Sequence, residues 1–279
     1  MSADSPRVYL LDVEGTTSPV SLVSEQLFPY ARRHLAGYLR EHWNEPETQA
    51  DLALLADENR AENDEQWVLR FAQDDKSSQD DKSSQDHKSL QDDKSLQDNK
   101  SLQDDKSLSV GKSLDIASVL SYLIWLMDRD RKSTALKSLQ GRIWKSGYEA
   151  GELVGTVFLD VAEVFTRWSK TAKVAIYSSG SVEAQKLIFR YSSAGDLTPF
   201  ITSYFDTRTG AKTSSDSYRA IAAAMGVETS EILFVSDLLR ELDPAREAGC
   251  MTRLSVREGN QPVPDQCGHI AVSSFAEIS

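Results

Sequence analysis

Cysteine is nearly absent: Cys250 and Cys267 are the only two among 279 residues. Two thiols in a chain of this size make no disulfide framework, and they read as reduced thiols, one on a strand and one in a loop. The four histidines, His34, His42, His87 and His269, are scattered, so no Cys/His metal cluster forms, and His34 and His42 read as helix-surface residues. Positive charge is scarce as well, with 31 Lys and Arg against 43 Asp and Glu and a formal net charge of -12. That balance argues against sequence-independent nucleic-acid binding, which depends on neutralising phosphates. It argues equally against docking on anionic membranes. No apolar run approaches the length of a membrane span, and the opening "MSADSPR" carries no apolar signal region. A soluble intracellular protein is the expectation. An anionic substrate would then need a local positive group or a bound cation.

What is present is enough for a core: 40% hydrophobic residues support one large domain or two smaller ones. Residues 73–108 are six tandem copies of a hexapeptide, Q-D-x-K-S-S/L. A period of six matches neither 3.6 nor 2, and the segment has ten Asp and six Lys but no aromatic or β-branched residue. It buries too little to offset chain entropy and reads as a disordered insert, with a solvated tether or a weak cation-binding tract as the functional alternatives. Around it, 21–43, 46–72, 114–130 and 132–151 read as helices, with Pro29 near a first turn or a kink. The block from 21 to about 152 is therefore all helical.

The second half alternates. Strands are predicted at 173–180, 200–207, 231–237, 250–256 and 268–274, and helices at 157–170, 181–192, 213–227 and 238–249. Apolar strands alternating with helices predict a doubly wound, mainly parallel α/β sheet. "RVYLLDV" (7–13) has the same character, so the economical architecture is one α/β domain, residues 1–20 plus 153–279. The helical block 21–152 is inserted after its first strand.

In such sheets ligands gather beyond the carboxyl ends of the strands. Three ends carry polar groups: Asp12 with Glu14, Ser178-Ser179-Gly180, and Asp237. Lys212 precedes another helix in "TGAKTSSDS". Each has a plain structural reading. Asp12 could cap a turn, Ser179 and Asp237 could cap the helices that follow them, and Lys212 could be a surface charge. All four at one sheet edge are harder to explain that way. Asp12 and Asp237 would be neighbouring like charges, which a cation or a shared proton would make tolerable. Hard oxygen ligands around a small site suit Mg²⁺. Phosphoryl transfer supplies roles for all of them. One carboxylate attacks phosphorus, a second handles the leaving-group and water protons, serine and backbone N–H groups hold phosphate oxygens, and lysine offsets charge.

The set "DVEGT" (12–16), "YSSGS" (177–181), Lys212 and "SDLLRE" (236–241) resembles the haloacid-dehalogenase-like phosphatases, with Glu14 where the general D-x-D pattern has Asp. "LLDVEGTTSPVSLVSEQLFPYA" (10–31), "DRKSTALKSLQG" (130–141), "YSSGSVEAQKLIF" (177–189) and "YFDTRTGAKTSSDSYRAIA" (204–222) narrow the resemblance to the enolase-phosphatase of methionine salvage. It spans nearly the whole chain except the repeat and the final residues. It implies enolisation of 2,3-diketo-5-methylthiopentyl-1-phosphate and then dephosphorylation to the acireductone 1,2-dihydroxy-3-keto-5-methylthiopentene. It also implies one Mg²⁺ per subunit, a monomer, and a cytoplasmic location with the nucleus as a second site. Carried over by position, Asp12 is nucleophile and metal ligand, Glu14 the second metal-site acid and acid–base group, and Asp237 the late metal ligand. Ser178, Ser179 and Lys212 contact substrate phosphate, and Glu241 supports the metal's outer shell. The inserted helices become a cap that excludes water from reactive intermediates. The rival readings are a related phosphatase of another small phosphate ester, a non-catalytic phospho-ligand binder, and a scaffold whose working part is the repeat.

Overall fold

The computed structural model describes residues 5–61, 115–264 and 267–278. The hexapeptide repeat, predicted to be disordered, lies outside the described residues. A six-stranded sheet holds β1 (Val8–Leu11), β2 (Lys173–Tyr177), β3 (Ser203–Phe205), β4 (Ile232–Ser236), β5 (Met251–Ser255) and β6 (Ile270–Val272). The order is β3-β2-β1-β4-β5-β6 and every pairing is parallel. The predicted doubly wound α/β sheet is therefore present. The chain runs outward from β1 to β3, then returns to the other side of β1 with β4. That reversal opens a crevice between the carboxyl ends of β1 and β4.

Both sheet faces are covered, which explains why β1 and β4 read as unbroken apolar runs. Val8, Leu10, Ala175, Tyr177, Ile232 and Phe234 join a core with residues of α7 (Ser215–Met225) and α8 (Leu239–Glu247). On the opposite face the Tyr9 ring stacks on Trp168 at 4.0 Å, and Trp168 meets Phe275. Trp168 closes α5 (Val161–Trp168), which starts later than the predicted 157. The preceding stretch is pinned elsewhere: Phe158 N–H donates to the Thr17 carbonyl at 3.0 Å and Gly155 N–H to that of Tyr191 at 2.9 Å. α6 (Val182–Arg190) is N-capped by Ser181, whose hydroxyl accepts from Ala184 N–H, so the cap falls on Ser181 rather than Ser179.

Among the described residues, four helices lie between β1 and α5: α1 (Phe28–His42), α2 (Pro46–Ala61), α3 (Ile116–Asp128) and α4 (Thr134–Glu149). One π-type turn (Leu22–Leu27) leads into α1, with Phe28 N–H bonded to the Val23 carbonyl. Pro29 has no N–H to give and its ring crowds the carbonyl four residues back, which favours a wider turn just ahead of it. By internal packing the chain divides into two compact units, Met1–Glu41 with Ala135–Ser279, and His42–Thr134. In the first, Trp144 Nε1 donates to the Leu27 carbonyl at 2.8 Å and Tyr30 OH to Glu152 at 2.8 Å. Gly147 admits the Tyr30 ring, because a Cβ there would stand 2.6 Å from it. In the second, Glu58 accepts from Ser133 Oγ at 2.6 Å and Thr134 N–H at 2.7 Å.

Candidate active site

The parallel register brings the polar strand ends to one edge. Leu11 pairs with Ile176 on one side and Val235 on the other, so Asp12 follows β1 with Ser178 and Asp237 just past the neighbouring strand ends. Asp12 is buried, at 5% exposure, and its N–H donates to the Val235 carbonyl at 3.0 Å. Beyond it the chain turns at once. Gly15, Thr16, Thr17 and Ser18 fold back, with Ser18 N–H donating to the Val13 carbonyl at 2.8 Å and Thr17 Oγ1 to that of Asp12 at 3.0 Å. Gly15 has φ +67°, and a Cβ there would stand 2.5 Å from Asp237 Oδ2, so the turn presses directly on the Asp237 carboxylate.

Lys212 comes from the loop between β3 and α7 and is 9% exposed, so it is no surface charge. Its aim is set by hydroxyls. Tyr177 OH donates to the Gly210 carbonyl at 2.9 Å, and Ser217 Oγ to that of Ala211 at 2.7 Å. Tyr218 OH lies 2.8 Å from the Lys212 carbonyl and 2.9 Å from the Glu241 carbonyl. The ammonium then bonds to Asp12 Oδ1, donates to Glu241 Oε2 at 2.9 Å and lies 5.7 Å from the Tyr177 ring centre. Ser236 Oγ also donates to Glu241 Oε2, at 2.9 Å. Glu241 is thus joined directly to Lys212.

The local electrostatics are dominated by burial. Asp12 is raised to about 7, chiefly by burial, with Lys212 lowering it and Glu241 raising it. Glu14 is raised to about 7 by burial and then by Asp12, and Asp237 to about 6 by burial and then by Glu241. Burial alone would lower Lys212, but Asp12 and Glu241 outweigh it and hold the ammonium charged. Burial, reinforced by the neighbouring carboxylates, keeps Asp12, Glu14 and Asp237 above their ordinary range. Among the described residues no three His, Cys, Asp or Glu side chains already close round one ion-sized position. The donor set still suits a small hard cation. Asp12, Glu14 and Asp237 offer only oxygen, and a cation would offset the charge that one lysine leaves over.

The loop after β2 carries the two serines. Ser178 is buried, Ser179 is exposed, and Gly180 N–H donates to Ser178 Oγ at 3.1 Å. Two residues missing from the sequence reading brace it. Gln185 Nε2 donates to the carbonyls of Gly180 and Phe205, at 2.8 and 2.9 Å. Asp206, buried at the end of β3, accepts from the N–H of Val182 and of Arg208. Tyr218 and Ser236 were missed in the same way. The available signals were a buried-type glutamine on an apolar helix face and hydroxyls flanking Lys212 and Asp237.

A model of the family described as haloacid dehalogenase-like hydrolase matches residues 6–249. Enolase-phosphatase E1 of Synechococcus elongatus is 44% identical over 255 residues, covering 91% of this chain and 90% of that protein. Enolase-phosphatase E1 of Branchiostoma floridae is 37% identical, covering 99% and 84%. The chain belongs to the enolase-phosphatase family of haloacid dehalogenase-like hydrolases. A solved structure is similar too. The UTR4 protein of Saccharomyces cerevisiae superposes with a TM-score of 0.67 at 30% identity, covering 97% of this chain and 99% of that one. Membership in a hydrolase family fits an edge where two carboxyls and a lysine meet beside a serine-rich turn.

Proposed function

We propose that the protein is a bifunctional Mg²⁺-dependent enolase-phosphatase. It converts 2,3-diketo-5-methylthiopentyl-1-phosphate to 1,2-dihydroxy-3-keto-5-methylthiopentene and inorganic phosphate. The observation that carries this reading is family identity running through 91% of the chain together with Asp12, Glu14, Lys212 and Asp237 at one sheet edge. The substrate's phosphate would rest on Ser178, Ser179, the backbone of the 178–180 turn and Lys212. Asp12 attacks phosphorus, the bond from phosphorus to the substrate oxygen breaks, and Glu14 gives that oxygen a proton. A water then attacks the aspartyl-phosphate and gives its proton to Glu14. Phosphate leaves and Asp12 is regenerated. A Glu14 carboxyl raised to about 7 suits both transfers. Lys212 stays charged beside Asp12 and stabilises the phosphoryl group during transfer.

Asp12, Glu14 and Asp237 would hold one Mg²⁺, which supplies charge neutralisation for the phosphoryl oxygens. Glu241 holds Lys212 on station. The helical insertion 21–152 is taken as the cap domain, with the family's monomer and its cytoplasmic and nuclear locations. The test is to supply the diketo phosphate with Mg²⁺ and follow phosphate release and enediol absorbance together. Both signals rising in step are expected. Phosphate without an enediol would move the assignment to a phosphatase of another small ester.

A further inference from the structure

Asn260 reaches the Asp12 edge from the loop after β5. Its Nδ2 donates to the Gly15 carbonyl at 2.9 Å and to the Ser255 carbonyl at 3.1 Å. Ser255 Oγ supplies a second donor to the Gly15 carbonyl, also at 2.9 Å. Both amide hydrogens of Asn260 are therefore used, which fixes which end of the side chain is oxygen. That oxygen, Oδ1, is buried and has no hydrogen-bond partner. A buried acceptor left unpaired is costly, and in a site it points to a donor or cation that belongs there.

Its position says which. A point one bond out from the Gly15 Cα lies 2.5 Å from Asp237 Oδ2 and 2.8 Å from Asn260 Oδ1. The glycine hydrogen lies toward that point, so an amide oxygen and a carboxylate oxygen flank the Gly15 Cα on the same side of the turn. Two acceptors cannot bond each other. They can share a hard cation or a water that the cation orients. We propose that Asn260 is a positioning residue for the divalent cation, its Oδ1 acting beside Asp237 and its amide hydrogens anchoring it to the Gly15 turn.

This inference rests on the Mg²⁺ site proposed above, and the experiment separates the two. Mg²⁺ is titrated calorimetrically into metal-free wild type, Asn260→Ala and Ser255→Ala, with thermal melts of each metal-free protein. Asn260→Ala should weaken Mg²⁺ binding about tenfold. Its kcat should fall at limiting Mg²⁺ and recover as Mg²⁺ is raised. Ser255→Ala also loosens the Gly15 carbonyl but leaves Oδ1 in place, and should keep the Mg²⁺ Kd within about twofold of wild type. An Asn260→Ala Kd unchanged beside a lowered melting temperature makes Asn260 a loop brace and overturns the proposal. Equal weakening in both variants overturns it too, because the effect would then run through the Gly15 peptide. A wild type that binds no Mg²⁺ removes the site reading itself.

Discussion

Lys212 and Asp12 stand 200 residues apart in sequence and are joined by a hydrogen bond at the carboxyl edge of the sheet. The same ammonium carries Glu241, so one lysine sits between two buried acids. Lys212→Met keeps most of the side-chain volume and removes the charge. Two carboxyls are then left facing each other, and breaking a buried pair of this kind costs about 3–5 kcal/mol. Phosphate release should fall by about 10²–10³-fold, the loss typical of a removed transition-state charge partner. Steady-state kinetics and chemical denaturation of the same preparation check both numbers. A stable variant with wild-type kcat would remove Lys212 from the site.

Asp12→Asn changes the other member and should move stability the opposite way. The amide keeps the shape and takes one charge out of a cluster of four carboxyls. Lys212 keeps its bond to Glu241. The melting temperature should therefore stay level or rise, while phosphate release falls by about 10³-fold or more through loss of the nucleophile. Loss of activity with a rising melting temperature separates a functional role from a structural one. An active Asp12→Asn protein would end the nucleophile assignment.

The sheet could be read in the sequence because its strands are apolar runs ending in polar residues, and parallel pairing puts such ends on one edge. Asp12, Asp237 and the Ser178–Gly180 turn were legible for that reason. Lys212 was not decidable by itself, since "TGAKTSSDS" resembles a solvated turn. Its burial depends on Tyr177, Ser217 and Tyr218 hydroxyls drawn from β2 and α7, a three-way meeting that no spacing rule reports. The plain reading of Asp237 as a helix cap fails similarly. α8 starts from Leu238 with no side-chain cap, and the Gly15 turn occupies the space beside the Asp237 carboxylate. Gln185 and Asp206 escaped notice because a side chain that braces a turn carries no motif of its own.

Asp160 gives a pH prediction away from the catalytic edge. Its Oδ2 accepts from Arg257 Nη2 at 2.9 Å, Ser274 Oγ at 2.8 Å and Phe275 N–H at 2.6 Å, joining the approach to α5 to the chain after β6. Burial alone would raise this carboxyl, but the bonds from Arg257, Phe275 and Ser274 outweigh it and hold it below 3.8. A depressed carboxyl stabilises the fold above its unfolded value and loses that contribution as pH falls through the folded one. Asp160→Asn should therefore cost about 1–3 kcal/mol at neutral pH, the range for hydrogen bonds to a charged group. The gap from wild type should close on acidification below about pH 3.8, the ordinary aspartate value. Urea denaturation at several pH values measures it, and a gap independent of pH would mean that the carboxylate charge contributes nothing.

Gly15→Ala tests the turn that follows the two acids of "DVEG". Two penalties act together. The φ of +67° strains any residue with a Cβ, at about 1–3 kcal/mol. The new Cβ would also stand 2.7 Å from Asp237 Cγ, nearer than two carbons can approach. The turn is held from behind by Ser255 and Asn260, so Asp237 is the freer partner to move. Displacing it should weaken Mg²⁺ binding by more than backbone strain alone explains. The comparison that isolates this is Gly249→Ala, which carries positive φ of +98° and meets only the Thr229 side chain. Both variants should lose melting temperature, and only Gly15→Ala should lose Mg²⁺ affinity in a calorimetric titration. Equal Mg²⁺ affinity in the two would show that the cation does not depend on where Asp237 sits.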